Sequence, residues 1–197
     1  TEALKYTFLH LTYNKEVITV IYTKTIKEAY SADVLVAGGG PAGICAAVAA
    51  ARQNMNVILV ERYGAVGGNL TLGNVSPILG KVSEGTMYDE IISLLSAKHN
   101  AEEKIETRNG KEIHIDSEEA KGILIKFLYD NNVKVLLQTP VVDVILNGNT
   151  IKGVILNTPM GLKAIKAKRV IDATGDGMIA YLCGCDYKVG RDDDGLT

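Results

Sequence analysis

One glycine-rich segment has residue types and spacing that could carry chemistry. Gly38, Gly40 and Gly43 form a G-x-G-x-x-G pattern directly after a short apolar run. In this pattern the first glycine makes a tight turn, the second lets the backbone approach a pyrophosphate, and the third lets a helix pack closely on a strand. The following helix N-terminus offers N–H groups and partial positive charge to phosphates. Pro41 suits the first helical turn, where a missing N–H costs little.

An acidic residue stands where such a site needs one. Glu61 comes eighteen residues after Gly43, at the end of a second apolar run. A carboxylate there accepts hydrogen bonds from both hydroxyls of an adenosine ribose and repels a 2′-phosphate. The glycine pattern alone is a weak signal, and a structural glycine turn beside a surface glutamate is the alternative. The glycines, the glutamate and the flanking elements together favour a dinucleotide-binding unit.

These residues need a β-α-β unit to position them. The runs Asp33–Ala37 and Val57–Val60 are apolar throughout, which is typical of strands buried on both faces. Ile44–Asn54 is an alanine-rich segment that predicts a helix between them. A unit of this length favours a right-handed crossover and a parallel sheet.

Further elements follow along the chain. Thr86–Asp89 and Asp116–Glu119 resemble capping sequences, and each precedes an apolar stripe that predicts a helix. Val133–Leu137 predicts a third parallel strand. Three alternating segments then predict an antiparallel meander, and a return to a buried strand is expected after it. The meander segments and the returning strand are Val141–Leu146, Ile151–Leu156, Leu162–Lys166 and Arg169–Ala173.

The first thirty residues predict an added β-hairpin. Tyr6–Leu11 and Val17–Tyr22 are rich in β-branched and aromatic residues, and Asn14 and Lys15 supply a turn between them. Lys24–Tyr30 is interpreted as a polar connector. The hairpin is compatible with three roles: a remnant of a preceding domain, an edge extension of the sheet, or an oligomer contact.

Two further elements carry a resemblance to a known family. Arg62 follows the acidic residue, and a Gly67-Gly68 pair comes next, before Asn69 and Thr71. Later the chain reads Val-Ile-Asp-Ala-Thr-Gly-Asp-Gly at 170–177. In these elements the sequence resembles the glutathione-reductase-like, two-dinucleotide-binding flavoprotein superfamily. Within it, 37–80 is most similar to the FAD-dependent oxidoreductase family related to fumarate reductase flavoproteins and thiazole-forming enzymes.

The resemblance covers Asp33 to about Arg191 and implies that FAD is the cofactor. It also implies a set of cofactor-binding residues, with the Gly-Gly pair at the diphosphate and ribityl chain, the backbone of Val141 near the adenine, and the Ala-Thr-Gly strand end beside the FAD. Asn69 and Thr71 are expected near the flavin ring. The implied residues are Gly38, Gly40, Pro41, Ala42, Gly43, Glu61, Arg62, Gly67, Gly68, Asn69, Thr71, Val141, Ala173, Thr174, Gly175 and Asp176.

The expected fold is α/β. It is a Rossmann-like FAD-binding fold with a mostly parallel sheet, an inserted three-stranded antiparallel meander and an N-terminal β-hairpin. We expect residues 1–31 to form the hairpin extension and residues 32–197 the FAD-binding domain. Family members continue into a substrate domain and a last strand, so 32–197 is expected to be incomplete, with the remainder in a C-terminal domain or on a further polypeptide.

The expected function is FAD-dependent oxidoreduction of a small molecule, with hydride or electrons passing through the isoalloxazine ring. No catalytic residue is named, because the substrate domain supplies such groups in the superfamily. Three alternatives stay open: an NAD-dependent dehydrogenase built on the same βαβ unit, a non-catalytic flavin-binding scaffold subunit, and a thiazole-synthase-like activity.

Composition excludes several other classes. Of the 197 residues 47% are hydrophobic, and the formal net charge of -2 gives no reason to expect a nucleic-acid partner. The most apolar region, 33–51, is interrupted by glycines and predicts no membrane span. Three cysteines make no disulfide framework and suit a reducing, cytoplasmic location. Oligomerisation is left open.

The remaining reactive side chains are expected to be structural. Cys183 and Cys185 form a C-x-C rather than the C-x-x-C of disulfide oxidoreductases, and Cys45 lies where a small packing residue is needed. No metal site is predicted, because the other candidates lack ligand spacing: His10, His99, His114 and the run Asp192–Asp194.

Overall fold

The computed structural model describes residues 9–13, 16–20, 23–78, 85–96, 105–107 and 110–196. The helices of the described residues are α1 (Pro41–Ala51), α2 (Met87–Ser96), α3 (Ser117–Asp130) and α4 (Met178–Leu182), with a 3₁₀ turn at Gly68–Leu70. The strands are β1 (Leu9–Tyr13), β2 (Glu16–Val20), β3 (Glu28–Ala37), β4 (Val57–Val60), β5 (Pro77–Ile78), β6 (Ile105–Thr107), β7 (Gly110–His114), β8 (Lys134–Leu136), β9 (Val141–Asn147), β10 (Thr150–Thr158) and β11 (Gly161–Asp172).

A six-stranded sheet in the order β8-β4-β3-β11-β10-β9 organises the fold. β8, β4, β3 and β11 are parallel, whereas β11, β10 and β9 pair antiparallel. The register sets Ala37 opposite both Val60 and Asp172, and Val60 opposite Leu136, so the parallel strands end together. We call this end of the sheet the carboxyl edge.

The strand order changes direction at β3. From β3 the chain passes through α1 to β4 and later to β8 on one side, whereas β11 pairs on the other side. Ligands of open α/β sheets bind outside the carboxyl ends of the strands at such a switch point. The glycine turn begins at Gly38, directly after β3, and therefore lies at this position.

The two faces of the sheet bury separate apolar layers. Val36 points to one side and packs with residues of α1, α2 and α3, such as Ile44 and Leu124. Leu35 points to the other side and packs with residues of β9, β10, β11 and α4, such as Ile165. This alternation is what a strand buried on both faces requires, and it fixes β3 at the centre of the molecule.

The helices begin where the sequence predicts. Asp116 caps α3, since its side chain accepts hydrogen bonds from the N–H groups of Glu118 at 2.8 Å and Glu119 at 2.9 Å. At α2 the side chain of Asp89 accepts from the N–H of Thr86 at 3.2 Å, which is the returning half of a capping box.

The predicted α/β fold is confirmed, with corrections to several elements. The segments Leu162–Lys166 and Arg169–Ala173, expected as separate strands, form the single strand β11, so the meander is continuous with the parallel part of the sheet. Part of the expected connector Lys24–Tyr30 is strand, because β3 begins at Glu28. A small sheet in the order β5-β7-β6 was not predicted.

The N-terminal hairpin is present within the described residues. β1 and β2 pair antiparallel, with Tyr13 opposite Glu16. The predicted turn residues Asn14 and Lys15, and the outer parts of the two predicted strands, lie outside the described residues. The division into two domains at residue 31 stays a prediction.

Candidate dinucleotide-binding site

Two of the three motif glycines are required by the protein's own packing. Gly38 has a φ of +106°, and a Cβ added there would lie 2.2 Å from the carbonyl oxygen of Ala173. A Cβ at Gly43 would lie 1.9 Å from the carbonyl oxygen of Gly38. Both distances are far below van der Waals contact, so any larger residue would force backbone movement. The tight turn and the close helix–strand approach predicted for these two positions are therefore present.

Gly40 differs from both of them. Its φ of -71° and ψ of 179° are open to any residue. A Cβ built on Gly40 would meet no described heavy atom within 4 Å. Neither strain nor internal crowding explains a glycine here, and its missing side chain leaves free space beside the turn. That space is what the close approach of a pyrophosphate requires.

The N-terminus of α1 presents its first turn without an acidic cap. Among the described residues no side chain caps α1, and its first turn contains no acidic residue. By contrast, α3 has the Asp116 cap and two acidic residues in its first turn, Glu118 and Glu119. Because backbone N–H groups at a helix start attract anions, α1 suits a phosphate and α3 does not.

Glu61 connects the glycine turn to the end of β4. Its side chain is buried, with 7% exposure. One carboxylate oxygen accepts from the N–H of Gly39 at 2.5 Å, and the other accepts from the N–H of Tyr63 at 2.8 Å. Each oxygen keeps further acceptor capacity, since a carboxylate has about four lone-pair sites. The group can therefore brace the turn and still accept from a sugar hydroxyl.

The Gly67-Gly68 pair packs directly on the glycine turn. The N–H of Gly67 donates to the carbonyl oxygen of Gly39 at 2.7 Å. A Cβ at Gly68 would lie 3.1 Å from the Cα of Gly40. Thr71 is 2% exposed, and its hydroxyl donates to the carbonyl oxygen of Val66 at 2.7 Å. Thr71 thus holds this loop in shape from the inside.

A cleft opens at the carboxyl edge beside the glycine turn. Ala37 and Gly38 line it at the end of β3, and Glu61 lines it after β4. Further lining residues come from the segment before β9 and from the loop after β11: Thr139, Pro140, Val141, Thr174 and Met178. The cleft thus joins parts of the chain more than one hundred residues apart in sequence.

The loop after β11 is organised by Asp172, a residue that the sequence pattern does not single out. One carboxylate oxygen of Asp172 accepts from the hydroxyl of Thr174 at 2.7 Å and from its N–H at 3.1 Å. The other oxygen accepts from the N–H groups of Ile179 at 2.9 Å and Ala180 at 3.1 Å. The Thr174 hydroxyl in turn accepts from the N–H of Met178 at 2.9 Å. Asp172 therefore fixes both the loop and the start of α4.

These hydrogen bonds lower the pKa of Asp172. Desolvation is the largest single influence and acts in the opposite direction, favouring the neutral acid. The hydrogen bonds from Thr174, Ala180 and Ile179 together outweigh it, so the pKa lies below the ordinary value of an aspartate.

The same loop supports the glycine turn from behind. The N–H of Ala173 donates to the carbonyl oxygen of Ala37 at 2.8 Å. A Cβ at Gly38 would lie 3.0 Å from the Cα of Thr174, and one at Gly43 would lie 3.3 Å from the Cβ of Ala173. Any displacement of residues 173–174 would therefore disturb their packing against the glycine turn.

Comparison with known proteins decides the family. The profile of the family described as FAD dependent oxidoreductase matches residues 33–197, most of the chain. The chain belongs to this family. The family membership makes FAD the cofactor, as the resemblance of the glycine and Ala-Thr-Gly elements implied.

Curated relatives of this flavoprotein include thiamine thiazole synthases. The protein of that name from Methanococcus aeolicus is 33% identical over 151 residues, which cover 73% of this chain and 54% of the relative. The one from Pyrococcus horikoshii is 28% identical over 174 residues, covering 80% and 66%. The chain thus spans between half and two thirds of the length of these relatives.

Solved structures share the fold. THI4 from Thermovibrio ammonificans superposes with a TM-score of 0.61 at 22% identity, covering 82% of this chain and 67% of that one. OxyS anhydrotetracycline hydroxylase from Streptomyces rimosus gives a TM-score of 0.62 at 15% identity, covering 82% and 35%. At these identities the likeness concerns the fold alone.

The flavoprotein fold brings most of the predicted cofactor residues to the carboxyl edge. The motif glycines are in direct contact with Glu61, with the Gly-Gly pair and with the strand end at Ala173 and Thr174. Val141 reaches the cleft from the start of β9. Asn69 is exposed on the 3₁₀ turn next to the Gly-Gly pair. The individual contacts of these residues with FAD stay predictions.

Arg62 and Asp176 approach each other over this edge. A guanidinium nitrogen of Arg62 lies 3.4 Å from a carboxylate oxygen of Asp176, and both side chains are at least half exposed. The Arg62 guanidinium also lies over the ring of Tyr63, 4.8 Å from its centroid. An exposed pair at this distance contributes little to stability, so both side chains stay available to a ligand.

The thiol of Cys45, in α1, packs against the apolar core and does not line the cleft. Desolvation raises the pKa of the Cys45 thiol, which agrees with a packing role in α1 rather than a nucleophilic one. Within the described part of the chain no group of histidine, cysteine and acidic residues could hold a metal ion. Nor does any described helix have the length and hydropathy to cross a membrane.

Proposed function

We propose that the protein is an FAD-dependent oxidoreductase of glutathione-reductase-like fold, related to fumarate reductase flavoproteins, that holds FAD along the carboxyl edge of its sheet. The observation that carries the proposal is the contrast at the glycine turn. Gly38 and Gly43 are explained by internal packing, whereas the free space at Gly40 is explained by a ligand. When bound, FAD supplies a ring that accepts or donates hydride or electrons.

In this proposal the residues of this chain bind FAD and orient it. The start of α1, from Gly40 to Gly43, provides backbone N–H groups for the diphosphate, whereas the N–H groups of Gly38 and Gly39 are donated within the protein. Glu61, already fixed by two backbone N–H groups, accepts hydrogen bonds from the adenosine ribose. Val141 lines the part of the cleft assigned to the adenine. Gly67, Gly68 and Asn69 continue along the ribityl chain.

The reaction partner is a small molecule that exchanges hydride or electrons with the flavin. In this proposal a further domain or polypeptide supplies the substrate contacts and the catalytic acid or base. Residues 32–197 then constitute the FAD-binding portion, and 1–31 an added hairpin. The cytoplasmic location rests on the cysteine content alone and stays a prediction.

The test is cofactor retention combined with turnover. We expect the purified protein to show flavin absorption and to release FAD on acid treatment. Anaerobic titration with dithionite and reoxidation by a dye should then show reversible two-electron exchange. A protein that binds FAD but exchanges electrons with no donor or acceptor would favour the flavin-binding scaffold. A protein that binds NAD and excludes FAD would favour the dehydrogenase alternative.

A second candidate is formation of the thiamine thiazole. It is supported by the two relatives named thiamine thiazole synthase, one of which is 33% identical over 73% of this chain. Expression of the protein in a bacterial strain that requires the thiazole for growth tests this directly. Growth without added thiazole, lost in Gly40→Ala, supports the candidate. Absence of growth, with the soluble protein verified in the cells, counts against it.

A further inference from the structure

One feature of the site is still unexplained: the number of hydrogen bonds that the side chain of Asp172 accepts. Asp172 accepts four hydrogen bonds, from the N–H and hydroxyl of Thr174 and from the N–H groups of Ile179 and Ala180. Asp172 does not itself line the cleft, whereas Thr174 and Met178 do. A carboxylate with all these partners can act on the cofactor only through the groups it holds.

The hydrogen bonds that Asp172 accepts determine which N–H and O–H groups of the loop are still free to bind a ligand. The single hydroxyl proton of Thr174 is donated to Asp172, and the oxygen accepts from the N–H of Met178. The N–H of Thr174 is also donated to Asp172. A threonine hydroxyl has one proton to donate, so Thr174 keeps no donor for a phosphate or a hydroxyl of a cofactor.

The donors that remain belong to the next three residues. Within the described part of the chain, the N–H groups of Gly175, Asp176 and Gly177 have no hydrogen-bond partner. Gly175 has a φ of +83°, and no described heavy atom lies within 4 Å of where its Cβ would be. The backbone at Gly175 thus adopts a conformation costly to other residues, with open space beside it.

We propose that Asp172 is a positioning residue of the FAD site: it engages the donors of Thr174 and of the start of α4, and thereby leaves the N–H groups of Gly175, Asp176 and Gly177 as the donors of this loop that meet the cofactor. The inference rests on the proposed function, since it takes FAD as the occupant of the cleft. The inference assigns the contact between this loop and FAD to backbone N–H groups, whereas the sequence pattern suggests the side chain of Thr174.

The loop after β11 also affects the site through its packing against the glycine turn. Ala173 and Thr174 lie directly behind Gly38, and the N–H of Ala173 is bonded to the end of β3. Loss of the Asp172 contacts would loosen 174–180 and remove the support behind the glycine turn. Affinity for FAD therefore depends on Asp172 even though its side chain makes no contact with the cofactor.

The test is a double-mutant cycle on FAD affinity in the purified protein. Asp172→Asn keeps the shape but sets an amide N–H₂ against backbone N–H groups, and Thr174→Val keeps the shape without the hydroxyl. We expect each change to raise the Kd for FAD about tenfold, and the double variant to raise it about tenfold in total rather than about a hundredfold. Thr174→Ser should stay within about twofold of the parent protein.

The control is Asp130→Asn, which removes an exposed carboxylate paired with Lys126 at the far end of α3. It should leave the Kd unchanged. Amide NMR gives a readout that a purely structural role would not move: FAD should shift the N–H signals of Gly175, Asp176 and Gly177 more than that of Thr174.

The outcomes separate this inference from the proposed function. If the parent protein takes up no FAD, the proposed function fails and this inference fails with it. If the parent binds FAD but Asp172→Asn binds it equally well, only the positioning role of Asp172 is overturned. The positioning role would also be overturned if the double variant raised the Kd for FAD about a hundredfold, or if FAD shifted the N–H signal of Thr174 most. Thr174→Val, which keeps the carboxylate, decides the matter if Asp172→Asn does not fold.

Discussion

A pair of glycine substitutions separates the fold from the cofactor site. In Gly43→Ala the new methyl would lie 1.9 Å from the carbonyl oxygen of Gly38, a backbone atom that can move away only if the glycine turn itself moves. Such overpacking costs about 3 kcal/mol or more of unfolding free energy. For a chain of this size each 1 kcal/mol corresponds to about 2–4 °C in Tm, so we expect a loss of about 6–12 °C.

Gly40→Ala should behave in the opposite way. The backbone at Gly40 is already in a region open to alanine, and the added methyl would meet no described atom within 4 Å. The loss of a glycine N-cap and the gain from a less flexible unfolded chain nearly cancel, so the apoprotein should change by about 1 kcal/mol or less. The methyl fills the space left for the pyrophosphate, and we expect FAD affinity to fall about a hundredfold, or about 2.7 kcal/mol.

The assay is thermal unfolding of the apoproteins combined with titration by FAD. Gly122→Ala serves as the control, because Gly122 lies in the exposed middle of α3 with open space around it. It should gain about 0.5–1 kcal/mol without affecting FAD binding. The reasoning is refuted if Gly40→Ala binds FAD as tightly as the parent, or if it unfolds as readily as Gly43→Ala.

Three further predictions concern single side chains. Glu61→Gln sets an amide N–H₂ against one backbone N–H and should cost about 1–3 kcal/mol in urea unfolding while weakening FAD binding; an unchanged midpoint would contradict the bracing role. The lowered pKa of Asp172 stabilises the fold above the ordinary aspartate value of about 4, and this stabilisation is lost as the pH falls through the folded-state pKa. Thermal unfolding between about pH 7 and 3 should therefore show a shallower acid-side loss in Asp172→Asn than in the parent, and equal slopes would contradict the assignment. Gln138 has a φ of +52°, so Gln138→Gly should raise the free energy of unfolding by about 1 kcal/mol. Asn132→Gly, at a φ of +59°, should raise it less, because asparagine tolerates this conformation better than glutamine does. A larger gain for Asn132→Gly in thermal unfolding would refute this reasoning.

The sequence predicts the centre of the site because the constraints there are local. A glycine needed for a positive φ or a close approach has no substitute, so Gly38 and Gly43 can be recognised from their residue type and spacing alone. The strand that precedes them and the helix that follows them are equally recognisable from apolar patterning. The predicted parallel sheet follows from these local elements and the handedness of their crossover.

The extent of β11 is not recognisable in the same way. Its middle carries Lys166 and Lys168, which interrupt the apolar pattern and favour two short strands. In the fold Lys166 pairs with Glu28 at 2.7 Å, and Lys168 pairs with Asp33 at 2.7 Å, both across the junction with β3. The charges that interrupt the pattern therefore face partners on a neighbouring strand far away in sequence.

The role of Asp172 escapes sequence reasoning because this residue acts on backbone groups. Three of its four hydrogen bonds come from backbone N–H groups up to eight residues later, and no residue type marks these groups. Thr71 shows the converse difficulty, since a polar residue near the Gly-Gly pair invites a cofactor role while its hydroxyl is bonded to the carbonyl oxygen of Val66. A contact between Thr71 and FAD stays a prediction, and a buried, internally bonded side chain does little to support it.

The most direct test of the account is a titration of the purified apoprotein with FAD, followed by flavin fluorescence and by the visible spectrum. The account predicts saturable binding of one FAD per chain in the parent protein, with binding weakened about a hundredfold in the equally stable Gly40→Ala variant. A folded parent protein that takes up no FAD, or that binds it without regard to Gly40, would contradict the central claim that the carboxyl edge of this sheet is an FAD site.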